Sequence, residues 1–151
     1  MYKKKKLLIS LILIPVILII VSVLVLASKG IIITKYSKII YSNWKINLPN
    51  KYEEIYSYQD KSFLGDGNKY HIFKYEDKIN LSSYINFIDG KNIILENEIK
   101  KGIKIANISE KYLPNFNEEY KYYIKEKDDS SKIYMVYILN LNELYIFESL
   151  Y

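Results

Sequence analysis

The only histidine of the chain, His71, is the residue best suited to acid–base chemistry. An imidazole exchanges its proton near neutral pH, which is what a general base requires. Asp66 lies shortly before it and could orient such a base, which gives an enzyme hypothesis built on His71 and Asp66. His71 also stands inside a predicted strand at 69–75, where an ordinary strand histidine is the simpler interpretation. Serines and acids occur throughout the chain, so their order specifies no catalytic triad, and we predict no catalytic residue.

Oxygen-bearing side chains near the same histidine raise the question of a metal. Asp60, Asp66 and Asn68 could supply oxygen ligands to Ca²⁺. Their spacing lacks the D-x-[DN]-x-[DN]-G loop with its distal glutamate, and a turn explains them better. The chain has no cysteine and no histidine or carboxylate pair at zinc-like spacing. Its glycines form no phosphate-binding loop, so we predict no metal-binding or cofactor-binding residue and no cofactor.

The elements that must position these residues are mostly strands. Alternating patterns predict strands at 52–58, 69–76, 119–125, 132–139 and 144–150, with a further strand signal at 44–48. Apolar residues at helical spacing predict two short helices at 81–89 and 92–105. The first pair of strands flanks a Gly-Asp-Gly-Asn turn at 65–68 and is predicted to form a hairpin. The sequence therefore predicts an α+β domain with an antiparallel sheet of about five strands.

Two further details of the strands are expected from their alternation. In the segment 52–58, Tyr52, Glu54, Tyr56 and Tyr58 are expected to share one side of the sheet. The segment 132–139 is apolar on both sides, which predicts a central strand covered by helices on one side.

Residues 7–27 form an uncharged apolar segment directly after the four lysines at 3–6. At about 1.5 Å per residue, a helix of this length extends roughly 30 Å, the hydrocarbon thickness of a bilayer. The apolar character runs all round the helix, which disfavours a buried core helix. We therefore predict a transmembrane signal anchor at 1–28, with residues 7–27 contacting the lipid bilayer.

The anchor prediction fixes the expected organisation of the rest of the chain. A linker is expected at 29–43 and an extracytoplasmic domain at 44–151. The positive charge concentrated before the apolar segment favours a cytoplasmic N-terminus and a C-terminal domain outside the cell membrane. An alternative is a cleaved signal peptide, with cleavage near Ala27 and a secreted domain.

The overall net charge of +5 belongs largely to the anchor. Four of the 22 lysines precede the apolar segment, so 18 lysines face 17 acidic residues in the rest of the chain. A nearly neutral domain lacks the basic excess of a nucleic-acid-binding protein, and no nucleic-acid partner is predicted.

Four short motifs carry a resemblance to a group of proteins. They lie at 44–49, 63–67, 70–75 and 144–148. Together with the apolar N-terminal segment, they resemble small uncharacterised membrane-anchored or exported bacterial proteins with a Gly-Asp-Gly hairpin motif. The resemblance implies the cellular location but assigns no role to any residue.

Three functional hypotheses follow from these patterns. The first is a single-pass membrane protein whose domain binds a protein or a cell-envelope component. The second is an immunity or envelope-stress protein that acts against a toxin at the membrane. The third is an enzyme or metal-binding domain that uses His71 and Asp66.

Overall fold

The computed structural model describes residues 13–23, 35–60, 66–76 and 79–151, which form an α+β domain and an N-terminal helix. The sheet is antiparallel with six strands in the order β1-β2-β6-β5-β4-β3. The strands are β1 (Glu53–Gln59), β2 (Gly67–Lys74), β3 (Ile88–Asp89), β4 (Tyr120–Glu126), β5 (Lys132–Ile138) and β6 (Glu143–Leu150). The α-helices are α1 (residues 13–23), α2 (Tyr36–Trp44) and α3 (Ile93–Ile105). The α+β antiparallel prediction is confirmed, with one strand more than expected.

Helix α1 lies inside the predicted anchor. Every residue of 13–23 is exposed, and nearly all of them are large and apolar. Within the residues that the structure describes, none of the helices combines the length and apolar character needed to cross a membrane. Residues 1–12 and 24–28 of the predicted anchor lie outside the described residues, as do residues 29–34 of the predicted linker.

The sheet has a hydrophobic core on each of its two faces. Helix α2 covers one face and contributes Tyr36, Ile40 and Trp44 to its core. Helix α3 covers the opposite face with Leu95, Ile99 and Ile103. The prediction that helices cover one side of the sheet is therefore wrong, because the central strands β5 and β6 are apolar on both faces and both faces need a cover. The core also extends into the predicted linker 29–43, through Tyr36 and Ile40.

Cross-strand register defines two ends of the sheet. The proximal end is the row of partners Glu53, Lys74, Glu143, Ile138 and Tyr120. The distal end is the row Gln59, Lys69, Glu148, Ile133 and Lys125. Helix α2 begins at the proximal end, where the side chain of Lys35 donates to the carbonyl of Asn50. It ends at the distal end, where Trp44 contacts Glu148.

Two predicted elements are absent. In place of a helix at 81–89, a 3-10 turn at Leu81–Ser83 is followed by β3. Gly90 adopts a positive φ in the turn between β3 and α3. The alternation at 44–48 correctly marks Ile46 and Leu48 as buried. That segment pairs with no strand, because it packs beside α2 against the sheet instead of joining it.

Strand β1 contains an irregularity that the alternation missed. Its register with β2 shifts between Glu54 and Tyr56. An extra residue at such a bulge reverses the side to which the following side chains point. Tyr52 therefore packs on the α2 face, whereas Tyr56 and Tyr58 pack on the α3 face. The expectation that these tyrosines share one side with Glu54 is wrong.

Candidate functional site

His71 is buried on the α2 face of β2, between the sheet and α2. Its ring stacks on Tyr36 of α2, with 3.4 Å between the ring centroids. Its Nδ1 atom lies 2.6 Å from Oε1 of Glu54 on the neighbouring strand β1. Asp66 is five residues before His71 on an extended chain, which places it about 16 Å away along the strand. The carboxylate that meets the imidazole is therefore that of Glu54, and the pairing of His71 with Asp66 is wrong.

The other ring nitrogen of His71 has an unusual environment. Its Nε2 atom is buried and has no hydrogen-bond partner among the described residues. The Glu54 carboxylate accepts a hydrogen bond from Nδ1. The neutral ring therefore carries its proton on Nδ1, and Nε2 is unprotonated. Burial lowers the pKa of His71, and the bond to Glu54 offsets this only in part. The native protein thus favours a neutral, enclosed imidazole.

A fully buried carboxylate lies next to this histidine. Glu148 of β6 has no exposed surface. Its Oε2 atom accepts a hydrogen bond of 2.5 Å from the indole Nε1 of Trp44, and its Oε1 atom accepts one from the hydroxyl of Tyr36. Burial and the neighbouring Glu148 raise the pKa of Tyr36, so its hydroxyl stays protonated as a donor. Both donors come from α2, so Glu148 ties both ends of that helix to the sheet.

This cluster, formed by Tyr36, Trp44, Glu54, His71 and Glu148, positions a helix instead of opening to a substrate. His71 is only 5% exposed, and α2 covers it. Of these residues, sequence reasoning singled out His71 alone. Glu148 could have been found, because it occupies an inward position after Leu144 and Ile146 in an otherwise apolar alternation.

The oxygen-rich turn after β1 has a structural role. Asp60 accepts hydrogen bonds from the hydroxyl of Tyr58 and the backbone N–H of Asn68, each at 2.6 Å. These bonds lower the pKa of Asp60. Gly67 has a φ of +102°, and a Cβ there would come within 2.9 Å of Asp60. No group of three histidine, cysteine or acidic side chains in the described part of the chain could hold a metal ion.

A groove of about 380 Å³ opens at the distal end, on the α3 face. Its floor is the row of partners just beyond the distal row, formed by Asn68, Ser149, Lys132 and Glu126. Its wall is formed by α3, which contributes Glu98, Lys101 and Ile105. Because its wall and floor belong to regular elements, the groove is held by a rigid scaffold.

One glycine brings the wall close to the floor. Gly102 of α3 lies directly over Phe147 of β6, and a Cβ at this position would stand 2.1 Å from Cζ of Phe147. A side chain here would push the helix or the ring away, so glycine sets the distance between α3 and the sheet. Asn92 begins the same helix by accepting a 3.0 Å hydrogen bond from the N–H of Leu95.

The groove offers both charge signs beside apolar surface. Lys132 pairs with Glu126 at 3.2 Å, and this pairing raises the lysine pKa. Lys101 and Glu98 face the opening from α3, and the side chain of Ile105 is 67% exposed. His71 lies on the other face of the sheet, so it cannot serve chemistry in this groove.

No protein-family model, curated protein or solved structure matches this chain. Function is therefore inferred from the geometry of the site and not from a fold-level analogy. The resemblance to small membrane-anchored or exported bacterial proteins stays a prediction.

Proposed function

We propose that this chain is a single-pass membrane protein that presents an extracytoplasmic α+β domain to a partner protein or a cell-envelope component. The observation that carries the proposal is the position of the groove. It opens at the distal end, whereas the chain that follows the apolar N-terminal segment joins the domain at the proximal end. A domain held at its proximal end has its groove turned away from the membrane.

The apolar segment supports the anchor. Residues 13–23 are helical, and their apolar side chains are exposed on all sides with nothing packed against them among the described residues. A fully apolar helix of this kind is stable in lipid and unfavourable in water. The lysines at 3–6 favour a cytoplasmic N-terminus.

The groove supports binding more than catalysis. It combines the exposed Ile105 with charges of both signs, the composition of a protein-binding surface with a polar rim. A protein segment with alternating charges and one apolar side chain fits these features. The near balance of 18 lysines and 17 acids outside the four N-terminal lysines gives no preference for nucleic acid.

The anchor is tested in cells that express the full chain. Alkaline carbonate should leave the protein in the membrane fraction. Because the chain has no cysteine, Asp128→Cys in the exposed turn between β4 and β5 gives one labelling site. A membrane-impermeant maleimide should label it in intact cells. Release by carbonate, or labelling only after lysis, contradicts the proposed location.

The groove is tested by reversing one charge on its wall. We expect Lys101→Glu to reduce at least tenfold the amount of partner that co-purifies with the protein from solubilised membranes. Lys104→Glu, on the same helix but outside the groove lining, is the matched control and should retain the partner. Equal retention by the two variants contradicts binding through the groove.

A further inference from the structure

Two isoleucines at the start of α3 are exposed without a structural reason. Ile93 and Ile94 are 71% and 78% exposed, whereas Leu95 and Ile99 of the same helix are buried. β-Branched residues are weak helix formers, so the first turn of α3 gains nothing locally from isoleucine. Ile88 on the short strand β3 is also more than half exposed. We call Ile88, Ile93 and Ile94 the apolar tip.

The apolar tip lies toward the proximal end of the sheet. The backbone N–H of Asn92 donates a 2.8 Å hydrogen bond to the hydroxyl of Tyr120, which belongs to the proximal row. Gly90 adopts a φ of +100° and turns the chain sharply between β3 and α3. Ile93 and Ile94 therefore lie at the same end of the domain at which Lys35 begins α2, and Ile88 lies two cross-strand rows further along the sheet.

The chain length between anchor and domain keeps this end near the bilayer. Eight Cα–Cα steps, through the seven residues 28–34, join Ala27, at the end of the predicted span, to Lys35. Fully extended, they reach at most about 29 Å. Five inter-strand spacings separate β1, beside Lys35, from β3, which is about 24 Å across the sheet. The tip thus lies within reach of the membrane to which the chain is attached.

We propose that the apolar tip docks on the lipid bilayer and holds the domain with its distal groove facing outward. Ile93 and Ile94 enter the interfacial region, where burial of aliphatic surface is favourable. Lys91, exposed in the preceding turn, keeps its ammonium group among the headgroups while its aliphatic stem follows the apolar surface. This inference rests on the proposed membrane anchor.

A lipid surface fits the apolar tip better than a protein does. A stable protein interface buries roughly 800 Å² on each partner and surrounds its apolar centre with contacts. The tip offers only three exposed aliphatic side chains. The Asp89–Lys121 ion pair beside it is already closed at 2.9 Å, so it offers no unpaired charge to a partner. A few aliphatic side chains can enter a lipid surface without a complementary cavity.

The test compares the two ends of α3. Ile94→Cys and Ile105→Cys are made in the full chain, which has no cysteine of its own, and each carries a nitroxide label in proteoliposomes. The two positions are separated by about 17 Å along one helix. At position 94 we expect greater collision with oxygen, which concentrates in lipid, than with a water-soluble nickel complex. At position 105 we expect the reverse.

The outcomes separate the tip from the anchor. If the nickel complex reaches both positions equally while the protein stays in the liposomes, docking is wrong and the anchor stands. If the protein does not enter the liposomes, the anchor itself is wrong. If position 94 is shielded from both probes, a protein or a second copy covers the tip, which also overturns the proposal.

Discussion

Helices α2 and α3 run from the proximal to the distal end on opposite faces of one sheet, yet they are fixed by different means. Hydrogen bonds to the buried Glu148 and a ring stack on His71 hold α2. Apolar packing and the close approach at Gly102 hold most of α3, and the hydroxyl of Tyr120 adds hydrogen bonds with Asn92 and Glu96 near its start. The outward side of α3 carries exposed isoleucines at both ends, whereas α2 is the first described element after the predicted anchor. The difference indicates that α2 attaches the domain and α3 presents its contact surfaces.

The largest expected effect comes from removing the carboxylate that holds α2. Glu148→Ala leaves the Tyr36 hydroxyl and the Trp44 indole N–H buried without an acceptor. Two buried, unsatisfied donors cost on the order of 3 kcal/mol of the free energy of unfolding. Urea denaturation of the detergent-solubilised chain, followed by circular dichroism, measures this loss. Glu126→Ala, on the exposed part of β4, is the control and should cost less than about 1 kcal/mol. Equal losses would show that Glu148 does not hold α2.

The corresponding change on the other face is Gly102→Ala. Alanine favours a helix over glycine by about 1 kcal/mol, but its Cβ collides with Phe147. Overpacking of a core costs about 1–3 kcal/mol, so we expect a net destabilisation of about 1 kcal/mol and a displaced groove wall. Denaturation and partner co-purification report the two effects. Adding Phe147→Leu to Gly102→Ala should restore both the stability and the partner co-purification. If Gly102→Ala alone stabilises the protein, the close approach of α3 to Phe147 is contradicted.

Acidification should lower the free energy of unfolding through His71, which lies on the α2 face. The unfolded chain takes up a proton on His71 below a pKa of about 6.5, whereas the native pKa is lowered by burial. The unfolded state then binds more protons, so stability is full above pH 6.5 and declines as the pH falls towards the native pKa. His71→Phe keeps the ring against Tyr36 but cannot titrate.

The measurement is the urea midpoint of both proteins between pH 7.5 and pH 5.5. The midpoint of the original chain should fall further than that of His71→Phe over this range. Equal slopes, or a gain of stability on acidification that only the original chain shows, would contradict a neutral, enclosed His71.

The smallest expected effect lies on the exposed side of α3. Lys100 and Glu96 form an i,i+4 pair at 3.5 Å. Lys100→Ala should lower the free energy of unfolding by only about 0.3–0.5 kcal/mol. The difference should vanish in 1 M salt, since salt screens such pairs. A loss above about 1 kcal/mol would mean that surface charge, and not apolar packing, holds α3.

The sequence predicted the elements that local patterns determine. The strands β4 to β6 and helix α3 follow from side-chain periodicity, and the hairpin of β1 and β2 follows from periodicity together with the turn signal at 65–68. The side of the sheet that each helix covers depends on long-range packing, which periodicity does not contain. The bulge in β1 and the two-residue strand β3 are too short and irregular to leave a periodic signal.

The polar cluster around His71 could not be predicted from the sequence, because it also depends on long-range packing. Glu54, Glu148 and Tyr36 are far apart in sequence and meet only through strand register and the docking of α2. Spacing along the sequence therefore gives no sign that these three side chains meet. The groove has no sequence motif at all, because its floor is a row of single residues taken from four strands.

The most direct test of the division between the two helices is photocrosslinking in cells. A benzoylphenylalanine replaces Ile105 in the distal groove in one variant and the exposed Tyr41 on the outer side of α2 in the other. We predict a defined adduct from position 105 that Lys101→Glu abolishes, and none from position 41. The same adduct from both positions, or an adduct from position 41 alone, would contradict the claim that α3 presents the binding surface.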